Sequence, residues 1–129
     1  MQAGTSNQAK ILIIYTGGTI GMIEDEKSGS YLPFTVESVL GFVPKLQALD
    51  VDISVVSFKV PKDSAHVGLE EWLEIKTIIQ ENYELYNGFV VLHGTDTMSF
   101  SASALGFLLQ GLNKPVIFTG SQLPISKPR

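Results

Sequence analysis

Residues 90–100 read VVLHGTDTMSF. An apolar run breaks off at His93-Gly94, and Thr95, Asp96 and Thr97 follow before an apolar helical pattern begins. Two threonines flanking a carboxylate can do either of two jobs. Any one of them can cap the next helix by accepting a hydrogen bond from its first free N–H groups. An Asp there also suits the positive end of the helix dipole. The other job is chemical. One cap suffices for one helix, so the remaining pair is surplus to the local need, and both uses stay open at this point.

Three further segments have the same character: TGGTIG (16–21), KVPKDSAH (59–66) and TGSQLP (119–124). The glycines of TGGTIG do not make a phosphate loop. The segment contains no GxxxxGK[ST], and its spacing is not G-x-G-x-x-G. They suit a tight turn and close approach of a ligand to the backbone. Asp63-Ser64 and Gly-Ser-Gln can equally be plain turns, and Gly68 is a candidate cap. His93 alone reads as a packed turn residue.

All four segments follow short apolar runs: Ile11–Tyr15, Ile53–Phe58, Phe89–Leu92 and Pro115–Phe118. Runs apolar on both faces fit buried parallel strands, and Pro115 opens its run, where a missing N–H is tolerated. Helical patterns lie between them. Val36–Leu49 is broken by Gly41 and Pro44, and reads as one interrupted helix or two short ones. Leu69–Tyr83 is amphipathic, with Trp72, Ile75 and Ile79 on one face. Thr97–Leu112 is apolar nearly all round, which predicts burial on both sides or a place in an interface. The alternation predicts a three-layer, flavodoxin- or Rossmann-like α/β domain with a parallel sheet of about four strands. Carboxyl ends of parallel strands share one edge, where ligands bind. The four polar segments therefore meet there. The long charged stretch 20–35 is expected as a functional loop, and residues 1–9 as a disordered tail.

The chain has 129 residues and 44% hydrophobic content, enough for one core. A mean hydropathy of +0.21 points to a large core or to apolar surface that meets another domain or subunit. A net charge of −4 argues against nucleic-acid binding. With no cysteine, disulfides and thiolate chemistry are excluded. His66 and His93 are too few for a His-rich zinc site, so no metal is expected. The N-terminus lacks the apolar core of a signal peptide, and no apolar run is long enough to span a membrane.

Taken in order, TGGTIGM, Gly-Ser-Tyr-Leu-Pro, Asp63-Ser64, HGTDTM and TGSQLPI resemble the N-terminal domain of bacterial-type L-asparaginases, from about Lys10 onward. The GM after TGGTI and the LPI after GSQ are more similar to the cytoplasmic (type I) branch. The resemblance implies hydrolysis of L-asparagine to L-aspartate and ammonia without metal or cofactor. It implies Thr19 as nucleophile, Tyr31 as the mobile-loop tyrosine that orients it, and Thr95-Asp96 as the second catalytic pair. Gly18, Asp63, Ser64, Thr95 and Asp96 become substrate-binding residues, and stretch 20–35 a lid. A homodimer or homotetramer in the cytoplasm follows from the same resemblance.

Two departures stand out. Ala65-His66-Val67-Gly68 replaces the family's usual polar run after Asp63-Ser64. The family's catalytic lysine and C-terminal domain lie beyond Arg129, and neither Lys114 nor Lys127 is in the matching place. The resemblance thus implies an incomplete domain over 10–129, inactive by itself. Two other readings stay open: action on a different amide, such as glutamine or in an amidotransferase, and a non-catalytic ligand-binding or interaction domain.

Overall fold

The computed structural model describes residues 8–127. Residues 1–7 of the expected tail lie outside the described residues, and Ala9 already belongs to the first strand. The element order is β1 (Ala9–Tyr15), β2 (Ile23–Glu24), β3 (Tyr31–Leu32), α1 (Val36–Phe42), β4 (Val51–Ser57), α2 (Leu69–Asn82), β5 (Gly88–Leu92), α3 (Met98–Leu108) and β6 (Val116–Thr119). Three short 3-10 segments cover Thr19–Gly21, Pro44–Ala48 and Ser64–His66.

Four parallel strands form the sheet in the order β4-β1-β5-β6. Strand β1 is central, with Ile13 beside Val55 on one side and Val90 on the other. Alternate residues of each strand face opposite ways. Leu12, Ile14, Phe89 and Val91 pack with Ile75 and Ile79 of α2 and Leu105 of α3. Ile13, Tyr15 and Leu92 pack with Val39 of α1, Phe34 and Ile23. The crossover from β1 to β4 runs opposite to those from β4 to β5 and β5 to β6. Connections of one hand then place α1 on one face and α2 and α3 on the other. The crossovers run opposite ways to either side of the gap between β1 and β5, which makes the carboxyl ends of these two strands the switch point of the sheet.

Local chemistry sets the helix limits. Thr35 and Ser38 cap α1 reciprocally, Thr35 N–H donating to Ser38 Oγ (2.8 Å) and Ser38 N–H to Thr35 Oγ1 (3.3 Å). The helix stops before Pro44, which disfavours helical backbone in the residue preceding it. The 36–49 pattern is thus α1 followed by a 3-10 turn. Gly68 is the N-cap of α2, and its N–H donates to Glu71 Oε2 at 2.8 Å. That bond, with help from Lys62 3.6 Å away, holds the Glu71 carboxyl below its usual range.

Two expectations need correction. The 20–35 stretch is not irregular, because β2 and β3 form an antiparallel hairpin within it. Asp25 closes the turn by accepting from Ser28 N–H (3.0 Å) and Oγ–H (2.6 Å). Of the two readings of α3, burial on both sides does not hold among the described residues. Ser101 and Leu105 face the core, while Phe100 and Phe107 are 68% and 77% exposed. No helix among the described residues is long and apolar enough to cross a membrane.

Candidate active site

The turns after β1, β4, β5 and β6 are laced together by hydrogen bonds. Thr16 donates to Leu92 O through both N–H and Oγ1–H (3.0 Å each). Lys62 N–H donates to Thr16 O at 2.8 Å, and His93 N–H to Thr119 O at 2.9 Å. Gly18 has φ 86°, a left-handed conformation natural to glycine, and a Cβ there would sit 2.7 Å from Gly94 Cα. At Gly94 a Cβ would fall 2.6 Å from Ser64 Cβ and Oγ. The close approach that these glycines allow is therefore between neighbouring turns, which sets the scale of the space left over.

That space is a cavity of about 250 Å³. Gly18 and Thr19 come to it from the first turn, Asp63 and Ser64 from the second, and Thr95 and Asp96 from the third. Tyr31, on the hairpin and 68% exposed, does not line it; it lies in an adjoining apolar cavity of about 510 Å³ that shares Tyr15, Met22 and Pro61 with the first, and in another of about 440 Å³ that it shares with Thr19 and Met22. Six of the seven residues singled out in the sequence thus line one cavity, and Tyr31 lines its neighbour.

Besides Tyr15, two turn residues of the cavity carry polar side chains that the sequence pattern did not mark. Gln122, read as part of an ordinary turn, donates from Nε2 to Thr95 Oγ1 at 2.7 Å. Thr95 accepts there, so its own O–H is free to donate elsewhere. Lys62 stands beside Asp63, and its ammonium is paired with Glu71. Both lie in turns already placed at the strand ends, which was the available signal.

Supports behind the cavity are fully specified. Tyr15 O–H donates to Gly18 O at 3.0 Å, and burial pushes its pKa up, keeping it a neutral donor. His93 is completely buried. Its Nδ1 lies 2.6 Å from Gly94 O, which can only accept, so Nδ1 carries the proton. Nε2 then accepts from Ser101 Oγ–H at 2.8 Å, and Ser101 Oγ accepts from Trp72 Nε1–H at 2.8 Å. This chain of bonds runs from α2 through α3 to the turn carrying Thr95. No group of three or more His, Asp or Glu side chains placed to hold a metal occurs among the described residues.

The N-terminus of α3 answers the local question raised by HGTDT. Thr97 is the N-cap by position, yet no side chain caps the helix. Instead Thr97 Oγ1–H donates to Ser64 O at 2.6 Å, and Thr95 is bonded to Gln122.

Residues 10–129 match the family model described as "Asparaginase, N-terminal". The chain belongs to the asparaginase family. It is 41% identical over 122 residues to L-asparaginase 1 of Escherichia coli K12, covering 92% of this chain and 36% of that protein. Among solved structures, L-asparaginase I of Vibrio cholerae superposes with a TM-score of 0.81 at 41% identity, over 95% of this chain and 36% of the other. Another relative is a glutamyl-tRNA(Gln) amidotransferase component of Methanopyrus kandleri, 37% identical over 92% of this chain and 26% of that protein. The chain thus spans about a third of the length of the asparaginases it matches. Within this asparaginase-family chain, the motifs TGGTI and HGTDT sit on the turns after β1 and β5, at the switch point.

Proposed function

We propose that this chain carries the nucleophile-bearing part of an L-asparagine amidohydrolase, with residues 10–129 as its N-terminal domain. The observation that carries this reading is the convergence of Thr19, Asp63, Ser64, Thr95 and Asp96, from three separate turns, on one small cavity. A nucleophile, a carboxylate for an α-ammonium group and small hydroxyl side chains are what a zwitterionic amide requires, and such positioning supplies much of the rate.

In this reading Thr19 Oγ attacks the side-chain amide carbon of L-asparagine as its proton leaves to a neighbouring base. The tetrahedral oxyanion is held by backbone N–H groups of the glycine-lined turns. Collapse expels the protonated nitrogen as ammonia, and water then cleaves the acyl-threonine to L-aspartate. Asp96 grips the ammonium group, Asp63 and Ser64 hold the substrate head with Gly18 at their side, and Thr95-Asp96 forms the second catalytic pair. Tyr31 reaches the cavity when the β2–β3 hairpin swings across the Met22 side. The complete protein is read as a cytoplasmic homodimer or homotetramer, an assembly for which the uncharged, exposed Phe100 and Phe107 of α3 supply apolar surface.

Ammonia release from L-asparagine and from L-glutamine, compared side by side on the full-length protein, is the test. L-Asparagine turnover that vanishes in Thr19→Ala without loss of thermal stability is the expected result. Equal or faster glutamine turnover favours action on a different amide, as a glutaminase-asparaginase or in an amidotransferase. Turnover that survives Thr19→Ala removes Thr19 from the mechanism.

A further inference from the structure

Thr97 occupies the N-cap of α3 and withholds its side chain from that helix. Thr is a favoured cap, so giving up the cap bond forgoes a local stabilisation. The hydroxyl goes 33 residues away, to the carbonyl of Ser64 at 2.6 Å. Ser64 is buried against Gly94, where even a methyl group has no room. The Ser64 carbonyl also accepts from Val67 N–H at 3.1 Å within its own 3-10 turn. Thr97 is therefore the side-chain tie between the turn bearing Asp63-Ser64 and the turn bearing Thr95-Asp96. Those turns supply different walls of the cavity.

We propose that Thr97 is a positioning residue for the reaction. Through the Ser64 carbonyl it sets the spacing between the substrate-head turn and the Thr95-Asp96 pair, without touching substrate. The proposal rests on the reading of the cavity as an amide-hydrolase site.

The experiment compares Thr97→Val, which keeps the shape and removes the hydroxyl, with Thr97→Ser, which keeps the hydroxyl, in the full-length protein. Thr97→Val is expected to lower kcat/KM for L-asparagine about tenfold, the scale of one lost hydrogen bond of typical strength, and to speed amide exchange at Val67. Thr97→Ser is expected to restore kcat/KM to within about twofold. A Val variant that loses stability yet keeps kcat and KM shows a purely structural tie and overturns the proposal. Should Thr97→Val fail to fold, the wild-type Thr97 hydroxyl proton decides by NMR. Slow exchange that slows further when L-aspartate is added supports the proposal, and exchange unmoved by saturating L-aspartate overturns it. Wild-type protein that neither hydrolyses L-asparagine nor binds L-aspartate, but protects the hydroxyl proton, refutes the site reading itself and leaves Thr97 as a structural tie.

Discussion

Gly94→Ala is the sharpest perturbation that the geometry offers. Gly94 is not in a left-handed conformation, so the added methyl group costs no backbone strain. Its whole effect is contact. The new Cβ falls 2.6 Å from both Ser64 Cβ and Oγ and 3.3 Å from Ser64 N. Ordinary carbon contacts lie at about 3.5–4.0 Å, so one turn must retreat by roughly 1 Å. Retreat is resisted because Thr97 holds the Ser64 carbonyl and Lys62 N–H holds Thr16 O. Overpacking of this kind costs about 1–3 kcal/mol, and a misplacement of about 1 Å in a positioned site costs on the order of 100-fold in rate. Urea unfolding and L-asparagine kinetics on the full-length protein read the two effects separately. Adding Ser64→Gly removes the obstructing atoms. The double variant is expected to regain most of the stability, with a coupling of about 1 kcal/mol or more, but not the rate, because the Ser64 hydroxyl is gone. Additive stabilities, or a Gly94→Ala protein that unfolds and turns over like wild type, refute the claim that these turns are in close contact.

Two other expectations follow from buried polar groups. The folded state depresses the Glu71 carboxyl, chiefly through Gly68 N–H, then through its own backbone N–H and the Lys62 ammonium, against the opposing effect of burial. Its contribution is therefore present above the ordinary carboxylate range and lost as pH falls through the lowered value. Glu71→Gln keeps an acceptor for Gly68 N–H but cannot titrate. Stability-versus-pH curves of wild type and Glu71→Gln are expected to diverge by about 1 kcal/mol at neutral pH and to draw together as pH falls through the lowered Glu71 value. Ser101→Ala strands both the His93 Nε2 acceptor and the Trp72 donor, whereas Trp72→Phe removes only one bond. The Ser101 change is expected to cost about 2–4 kcal/mol and the Trp72 polar loss about 1 kcal/mol, compared by urea denaturation with both variants kept at equal temperature and salt.

How much of the fold was legible in the sequence depended on the length of each signal. Strands β1 and β5 are built on continuous apolar runs, Ile11–Tyr15 and Phe89–Leu92, and take the two inner places of the sheet, as runs apolar on both faces do; β4, with Asp52 and Ser54, and the short β6 lie outside them. Once they were parallel, the shared edge followed, and with it the grouping of Gly18, Thr19, Asp63, Ser64, Thr95 and Asp96. The hairpin was not legible because β2 and β3 are two residues each, too short for any alternation to register. Apolarity all round α3 predicted cover on every side. Pattern alone does not say what supplies the cover, and Phe100 and Phe107 stay exposed within this chain. Lys62 and Gln122 were missed for a third reason. Their places depend on which side chain of a turn aims across the edge, and Gln122 meets Thr95 only because β6 lies beside β5.

The start of α3 brings these threads together. Thr95, Asp96 and Thr97 are all side chains that helices favour as caps, and any one would add about 1 kcal/mol by capping. None does so. Thr95 is engaged by Gln122, Thr97 by Ser64, and Asp96 lines the cavity. A segment that served only to start a helix would use at least one of three suitable groups for that job. Local rules fail together at places where other demands outrank them, and here the failure falls at the switch point of the sheet, beside the motif bearing Thr19. The helix is held by other means: Phe100 N–H, a donor that a cap would serve, bonds to Thr97 O at 3.1 Å, and the Trp72–Ser101–His93 chain ties its first turn to α2 and to the turn after β5. With these local and tertiary bonds in place, Thr95 and Asp96 are left to the cavity and Thr97 to the Ser64 turn.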